Sequence, residues 1–352
     1  MSRNLTDIYS DVHHELRRRS RKAKVVPIPS ASASRLPKRL RRLQRQAPLY
    51  AMQGLGELSD RLRQLTGRNV LDLNKVMEIV QFIYKQQALS KRGFDYEVDD
   101  FGFDREWTES LLPLFQLLYR DYWRVETTGI ENVPAEGRAL LVSNHAGVLP
   151  WDGVMIKTSM FLEHPRPRHA RALVAAMFFG VPVMSWFLRR TGQTIGHPDD
   201  TRRLLENDEL VLVFPEGVRG TGKQFKDRYK LRRFGRGGFV QIAIRTRSPI
   251  IPISVVGSEE IYPMMGDLQP VAKALGLPYF PLTPLWPWLG PLGLIPLPSK
   301  WRIQFHAPVR TDEVVPEAAD DQNLVMRISD QVRDTIQAGV YENLRLRRGV
   351  FV

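Results

Sequence analysis

The second half of the chain contains short apolar runs that each end in turn-forming or polar residues. Five segments have this form: Ala139–Ser143, Ala172–Ala175, Leu210–Phe214, Ile250–Val256 and Trp301–Phe305. Runs of this length are typical of buried strands, and the segments between them are long enough for helices. The alternation predicts an α/β fold with a mostly parallel central sheet flanked by helices. Functional side chains are then expected in the loops at the carboxyl ends of the strands.

Helical periodicity marks the regions on either side of these runs. Leu71–Leu89, Glu106–Trp123 and Val325–Leu346 each carry apolar residues at helical spacing. We therefore expect a helical region over 51–124 that packs on the core, the α/β domain over 125–310, and a C-terminal helix within 311–352.

The first 50 residues are strongly basic and hold most of the charge of the chain. They contain 13 Lys and Arg against 3 Asp and Glu, a net +10 out of +13 for all 352 residues. Apolar residues at helical spacing precede a basic run over 17–24, and a linker rich in Pro, Ala and Ser follows. The pattern predicts a basic amphipathic helix, either bound to an anionic membrane surface or solvated as a tail. No apolar stretch of the signal-peptide type occurs in Met1–Lys24, which predicts a cytoplasmic protein.

Composition and two partial motifs narrow the chemistry. The chain has no cysteine, which excludes disulfides, a thiolate zinc site and a cysteine nucleophile. The acidic residues from Asp95 to Glu106 resemble a calcium loop, but Asp100 stands where its sharp turn needs glycine, so a solvated acidic loop is the better interpretation. Gly217–Gln224 resembles a phosphate-binding loop of nucleotide triphosphatases, but Gln224 replaces the hydroxyl residue that binds magnesium. The basic segments lack the interleaved aromatic residues that stack on bases, so we expect no specific nucleic-acid binding.

One long uncharged segment bears on membranes. Ala274–Ser299 has 26 residues, seven of them proline, and carries Tyr279, Trp286 and Trp288. Prolines at this frequency break the continuous backbone hydrogen bonding that a membrane span requires. The segment is expected either to dip into the membrane interface, with these three aromatic residues at the head groups, or to cover the core as a flap.

The first candidate for catalysis follows the predicted strand Ala139–Ser143. His145 stands two residues after its end, and Asp152 follows seven positions later. A turn would bring the two side chains together, so that the aspartate orients the imidazole and the second ring nitrogen acts as a general base. The spacing alone is also compatible with a structural histidine.

The second candidate follows another predicted strand, where Phe214-Pro-Glu216-Gly-Val-Arg219 places a carboxylate and a guanidinium at the same edge of the sheet. Arg219 has the geometry to bind a phosphate or carboxylate through two hydrogen bonds. The segment Arg219–Arg236 contains eight basic residues and one acidic residue, Asp227. It predicts either an anion-binding surface or a solvated face.

Together these motifs resemble the glycerolipid acyltransferase family, which includes lysophosphatidate acyltransferases. Four blocks match in order: Asn144-His145 with Asp152; Trp186-Phe187-Leu188-Arg189-Arg190-Thr191-Gly192; Phe214-Pro215-Glu216-Gly217-Val218-Arg219; and Ile250-Ile251-Pro252-Ile253. The resemblance covers about Val125–Val309. The commonest members have four residues between the histidine and the aspartate, whereas six separate His145 from Asp152, which is similar to a divergent branch of the family.

The resemblance implies a role for each matched residue. His145 would deprotonate the acceptor hydroxyl, with Asp152 orienting it. The implied acceptor-binding residues are Arg189, Arg190, Gly192, Glu216, Gly217 and Arg219. The basic residues Lys223, Arg228, Arg232 and Arg233 would receive the anionic groups of acyl-CoA or acyl carrier protein.

The expected function is transfer of a fatty acyl group from acyl-CoA or acyl carrier protein to a hydroxyl of a glycerolipid such as lysophosphatidate. The expected partners are these substrates and an anionic membrane surface, which the protein would bind peripherally from the cytoplasmic side. We expect no metal or other cofactor. Two alternatives stay open: a neutral acceptor, diacylglycerol or a long-chain alcohol, and an inactive protein that only binds membranes.

Overall fold

The computed structural model describes residues 97–351 with the exception of 181 and 275. Its strands are β1 (Glu126–Thr128), β2 (Ala139–Ser143), β3 (Ala170–Val174), β4 (Thr194–Ile195), β5 (Leu210–Val213), β6 (Ile250–Val256), β7 (Gly266–Asp267), β8 (Pro281–Leu282) and β9 (Arg302–Phe305). Its helices are α1 (Arg105–Ser110), α2 (Leu112–Leu117), α3 (Trp151–Leu162), α4 (Pro182–Arg190), α5 (Pro198–Glu206), α6 (Val218–Thr221), α7 (Gly238–Arg245), α8 (Gln269–Ala274) and α9 (Gln322–Leu346). A π-helical turn, Leu118–Tyr122, continues α2.

Seven strands form one sheet in the order β1-β9-β6-β2-β5-β3-β4, and β7 pairs with β8 in a separate hairpin. Neighbouring strands of the large sheet are parallel except β6 and β9, which are antiparallel. The predicted α/β class with a mostly parallel sheet is therefore confirmed. Strand β2 lies at the centre between β5 and β6, so the loops that follow these three strands meet at one edge of the sheet.

Apolar layers cover both faces of the sheet. Leu141 of β2 packs in one layer with Trp123, Met155 and Trp301, under the π-helical turn and α3. The other face holds Leu140 and Val142 together with side chains of α5, α7 and α9. Because both faces are buried, the central strands are continuous apolar runs rather than alternating ones.

The predicted strands agree with the observed ones to within two residues at each end. The strands β1, β4, β7 and β8 were not predicted, because strands of two or three residues carry no detectable periodicity. The predicted helix Glu106–Trp123 divides at Leu111 into α1 and α2. Helix α9 begins at Gln322, three residues before the predicted start, because the Asp321 side chain caps the backbone N–H groups of Asn323 and Leu324. The predicted helix Leu71–Leu89 and the basic segment 1–50 lie outside the described residues.

The acidic loop before α1 binds arginines. Asp99 pairs with the buried Arg171 of β3, and Asp100 pairs with Arg203 of α5 at 3.2 Å. The Asp99–Arg171 pair anchors the loop to the sheet, which corrects the interpretation of the whole loop as solvated. Within the described part of the chain, no group of three or more His, Asp or Glu side chains is placed to hold a metal ion.

The segment Ala274–Ser299 both covers the core and exposes apolar side chains. Tyr122, Trp123 and Tyr262 donate hydrogen bonds to its backbone carbonyls at 2.5, 3.1 and 2.5 Å. Trp288 is 73% exposed and Leu292 is 64% exposed. The segment thus covers the core, and contact of its exposed side chains with a membrane interface stays a prediction. None of the described helices is both long enough and apolar enough to cross a bilayer.

Tyr279 departs from the predicted arrangement of the aromatic residues in this segment. Its hydroxyl donates to the Val148 carbonyl oxygen at 2.8 Å, and its ring lies beside Gly222. Tyr279 therefore joins the segment to the loop after His145 instead of lying with Trp288 on the exposed surface.

Candidate active site

His145 and Asp152 form a hydrogen-bonded pair at the carboxyl end of β2. His145 Nδ1 lies 2.7 Å from Asp152 Oδ2, and the aspartate side chain is completely buried in the first turn of α3. A carboxylate at Nδ1 selects the tautomer with the proton on that nitrogen and leaves a lone pair on Nε2. None of the described residues hydrogen-bonds Nε2, and the side chain is 12% exposed. This arrangement leaves Nε2 able to accept a proton.

Further hydrogen bonds fix the Asp152 carboxylate in this orientation. Oδ2 also accepts the Ala146 backbone N–H at 2.9 Å, and Oδ1 accepts the Gly153 N–H at 2.7 Å. A buried carboxylate needs such donors to compensate for the loss of water. The six residues between His145 and Asp152 thus form a closed turn that returns the chain to the histidine.

Contacts with β6 and the turn after it determine the path of this loop. The Asn144 side-chain amide accepts the Val255 N–H at 2.8 Å and donates to the Val255 carbonyl at 2.9 Å, as a backbone pair would. Gly147 has φ +77°, and a Cβ there would lie 2.5 Å from the Ser258 carbonyl oxygen. Any larger residue would push the loop off this turn. Asn144 and Gly147 therefore hold His145 in place without contacting its ring.

The Phe214–Arg219 block packs directly on His145. The Phe214 ring stacks on the imidazole with centroids 4.1 Å apart, and Glu216 Oε1 accepts the His145 backbone N–H at 3.0 Å. A Cβ at Gly220 would lie 2.7 Å from His145 Cβ. The two motifs are about 70 residues apart in sequence and meet because β2 and β5 are neighbours.

A model of the acyltransferase family matches residues 124–256, the range that contains β1 to β6, His145, Asp152 and the Phe214–Arg219 block. The protein Rv0502 of Mycobacterium tuberculosis is 50% identical over 258 residues, covering 73% of this chain and 72% of that protein. This chain belongs to the acyltransferase family. The family inferred from the four blocks is thereby confirmed, and the chain is an acyltransferase.

Two animal proteins and one bacterial crystal structure are less similar to this chain. The bovine protein named DGAT1/2-independent enzyme synthesizing storage lipids is 22% identical over 264 residues, covering 75% of this chain and 72% of that protein. Its human counterpart is 25% identical over 187 residues, covering 53% and 55%. The crystal structure of the 1-acyl-sn-glycerophosphate acyltransferase PlsC from Thermotoga maritima aligns with a TM-score of 0.46 at 17% identity, over 79% of this chain and 100% of that one.

In this acyltransferase, Glu216 is already bound by three protein groups. Besides the His145 N–H, its carboxylate accepts Lys223 Nζ at 3.0 Å and the Arg232 backbone N–H at 2.6 Å. Both members of the Glu216–Lys223 ion pair are buried. These bonds position His145 and the basic segment, whereas acceptor binding by Glu216 and donor binding by Lys223 stay predictions.

Arg219 and Gly217 occupy the exposed side of the same block. Arg219 extends from the short helix α6, and no described residue forms an ion pair with it. Gly217 has φ +54°, and its N–H donates to the Phe214 carbonyl at 2.9 Å. Arg219 is thus a cation without an ion-pair partner in the described part of the chain, and its role in acceptor binding stays a prediction.

The second block, by contrast, makes no described contact with His145, Asp152 or Glu216. Arg190 pairs with Asp104 at 3.4 Å and lies 4.9 Å above the Trp186 ring. The Gly192 carbonyl accepts Arg171 Nε at 3.2 Å. These contacts give Arg190 and Gly192 structural roles, whereas Arg189 is exposed above the Phe179 ring at 5.2 Å.

The remaining basic residues of the predicted donor site differ in accessibility. Arg228 is half-buried, lies 4.2 Å above the Phe225 ring and donates to the Phe225 carbonyl. Arg232 is exposed and pairs with Asp227 at 3.0 Å. Arg233 is exposed, and the described residues offer it no ion-pair partner. These three arginines remain available for an anion.

Sequence reasoning missed two buried titratable residues. Lys157 of α3 donates to the Thr191 carbonyl at 2.5 Å, and burial, followed by repulsion from Arg171, lowers its pKa to about 7. Glu259 lies in the turn after β6 and lines a cavity beside Ala146 and Gly147. The sequence could have indicated Glu259, because it follows the predicted strand Ile250–Val256. Functional side chains are expected after the carboxyl end of this strand just as they are after β2 and β5.

Proposed function

We propose that this acyltransferase moves a fatty acyl group from acyl-CoA or acyl carrier protein to a hydroxyl of a glycerolipid such as lysophosphatidate. The observation that carries the proposal is the His145–Asp152 pair, with Nε2 unbound and the His145 backbone held by Glu216. Nε2 takes the hydroxyl proton as the oxygen attacks the thioester carbonyl. The tetrahedral intermediate collapses, the C–S bond breaks, and the thiolate leaves with the proton returned from His145.

The loop after His145 supplies a donor for the developing oxyanion. Of the two glycine N–H groups near the site, that of Gly217 already donates to Phe214, whereas no described acceptor takes that of Gly147. A fixed backbone donor aimed at the reacting carbonyl stabilises the negative charge of the intermediate. We therefore assign this role to Gly147.

Arg219 supports a phosphate-bearing acceptor. It is exposed, has no ion-pair partner among the described residues, and directly precedes Gly220, which packs against His145. A guanidinium binds phosphate through two charge-assisted hydrogen bonds. The second candidate is a neutral acceptor, diacylglycerol or a long-chain alcohol, which is favoured by the storage-lipid names of the animal relatives.

An acceptor panel with the variant Arg219→Ala tests the choice. With labelled acyl-CoA or acyl carrier protein as donor, lysophosphatidate, glycerol 3-phosphate, diacylglycerol and a long-chain alcohol are compared. For a phosphate acceptor we expect the variant to lose about 10- to 100-fold in kcat/KM, because a charge-assisted pair is lost. Transfer to diacylglycerol should be nearly unchanged, as should both reactions in the control Arg202→Ala, an exposed arginine of α5. Equal losses with charged and uncharged acceptors would remove Arg219 from phosphate binding.

The donor would approach through the basic segment. Arg232 and Arg233 of this segment are exposed, Arg228 is half-buried beside them, and both donors carry phosphate groups. No cofactor is part of this proposal, because the thioester brings its own leaving group.

We further propose that the exposed apolar residues of 288–295 rest on the cytoplasmic membrane surface, with anionic lipid attracting the basic parts of the chain. Trp288, Leu289, Leu292, Leu294 and Ile295 are all exposed. Tyr279 connects their segment to the Val148 carbonyl in the loop after His145. A lipid substrate would thus enter next to the site that uses it.

Flotation with lipid vesicles tests this contact. The double variant Trp288→Glu and Leu292→Glu should lower vesicle binding about tenfold or more, because two apolar side chains are replaced by charges. The control Val315→Glu changes an equally exposed apolar residue outside the segment and should bind as wild type does. Binding of the double variant at the wild-type level, with and without anionic lipid, would contradict the proposal.

A further inference from the structure

Glu259 is a buried carboxyl group with an unsatisfied oxygen beside the candidate active site. The residue is 6% exposed, and its Oε2 accepts the Gly257 N–H at 3.2 Å and the Ser258 hydroxyl at 3.4 Å. No described group hydrogen-bonds Oε1. A buried polar atom without a partner is costly, so its presence calls for a ligand or a function.

The cavity that Glu259 lines begins at the residue after His145. Its walls include Ala146, Gly147 and Val148 of the catalytic loop and Thr221 of the Phe214–Arg219 block. The turn that carries Glu259 is pressed against Gly147, where a Cβ would lie 2.5 Å from the Ser258 carbonyl. The position of Glu259 is therefore tied to that of the catalytic loop.

The charged groups that face Glu259 do not neutralise it. Lys223 is paired with Glu216, Arg228 is held on the Phe225 ring and carbonyl, and Glu260 is paired with Arg347 at 2.5 Å. Burial, followed by repulsion from Glu260, raises the pKa of Glu259 to about 8, against a smaller opposing effect of Lys223. At neutral pH the group is thus a carboxylic acid, whose O–H is a hydrogen-bond donor.

The other walls of the cavity indicate what such a donor binds. Phe225, Tyr262 and Met264 add mostly apolar surface. The hydroxyl of Tyr262 already donates a hydrogen bond to the Leu294 carbonyl. Thr221, Lys223 and Arg228 of the same lining already donate to protein groups, so the O–H of Glu259 suits an oxygen that only accepts, such as an ester carbonyl. The hydroxyl to be acylated has its own partner in His145.

We propose that Glu259 is an acceptor-binding residue that donates a hydrogen bond to the ester carbonyl of the acyl chain already present on the acceptor lipid. This assignment rests on the proposed function, since it requires a glycerolipid acceptor. It gives the enzyme a means to prefer acyl over alkyl-ether lipids, because the ether lacks the carbonyl.

Kinetics with acyl and alkyl-ether forms of the same acceptor test the proposal. Wild type should show a KM about tenfold lower for the acyl form than for the ether form, because one buried hydrogen bond typically changes an affinity by about this factor. Glu259→Leu should lose this preference with little change in kcat, and Glu259→Gln should keep it, since its amide is a donor. Glu260→Gln, a buried neighbour outside the cavity, should keep the preference even if it lowers stability.

The pH dependence gives an independent measurement. The preference of wild type should fall above about pH 8, as Glu259 ionises, and that of Glu259→Gln should not.

The stability of the protein should also depend on the ionisation of Glu259. The pKa of this group is 4.5 in the unfolded chain and about 8 in the folded protein, so the unfolded chain releases the proton first as the pH rises. Wild-type stability should therefore decline between about pH 4.5 and 8. Thermal unfolding of Glu259→Gln should lack this part of the decline.

The outcomes separate the two proposals. If wild type acylates both forms equally, or if Glu259→Leu keeps the preference, the assignment of Glu259 is overturned and the acyltransferase function stands. If the acceptor is a long-chain alcohol, which has no ester, the assignment is likewise overturned. If wild type acylates no lipid at all, the proposed function fails and the assignment falls with it.

Discussion

Replacing His145 with alanine is expected to lower the rate of acyl transfer by about 10²- to 10⁴-fold, the usual contribution of a positioned general base. Without the imidazole, no group at this position removes the hydroxyl proton as the oxygen attacks. The neighbouring alternatives are already bound: the Glu216 carboxylate holds Lys223 and two backbone N–H groups, and Asp152 is buried. Single-turnover rates with labelled donor and saturating acceptor measure the chemical step directly.

Asp152→Asn provides the matched test of the pair. Asparagine keeps the shape of the side chain, but its amide can favour the tautomer with the proton on Nε2, which cannot act as a base. We expect a loss similar to that of His145→Ala, and a double variant little worse than either, because the two residues act as a unit. Retention of more than about a tenth of the activity by His145→Ala would show that another group is the base.

Removing the charge of Glu216 is expected to lower the free energy of unfolding by about 3–5 kcal/mol, as is typical when one member of a buried ion pair is lost. Glu216→Gln leaves Lys223 buried without its counter-ion. It also weakens the hold on the His145 backbone, so activity should fall even where the protein is folded. Urea unfolding followed by tryptophan fluorescence gives the stability, and kcat at low temperature gives the activity.

Two variants control for the origin of this effect. The double variant Glu216→Gln and Lys223→Met should recover much of the stability, because no unpaired charge remains, but not the activity. Asp208→Asn breaks the more exposed pair with Arg138 and should cost at most about 1 kcal/mol. If Glu216→Gln cost no more than Asp208→Asn, the buried pair would not be the anchor that the structure indicates.

The sequence was sufficient to predict most strands of the sheet and the contact between His145 and Asp152. Strands such as Ala139–Ser143 and Ile250–Val256 are buried on both faces, so their apolar runs are unbroken and their ends are marked by polar residues. His145 and Asp152 follow a strand end at a distance that one turn can close, but it was the order of the four blocks, and not this spacing alone, that singled them out.

The partners of the other motif residues could not be predicted in the same way. Glu216 and Arg219 stand three positions apart in one block, yet the first turns inward to Lys223 and the second remains exposed. Residue type does not reveal which charge is buried. Arg190 and Asp104 belong to segments more than 80 residues apart, so their ion pair depends on the packing of α4 against α1.

The most direct test of the central claim is the bond that the enzyme makes. Wild type and His145→Ala are incubated with labelled acyl-CoA or acyl carrier protein and a glycerolipid that has one free hydroxyl, and the lipid product is analysed by mass spectrometry and mild alkaline hydrolysis. The account predicts an alkali-labile ester at that hydroxyl with wild type and almost none with the variant. Release of the label only as free fatty acid, or equal ester formation by both proteins, would contradict it.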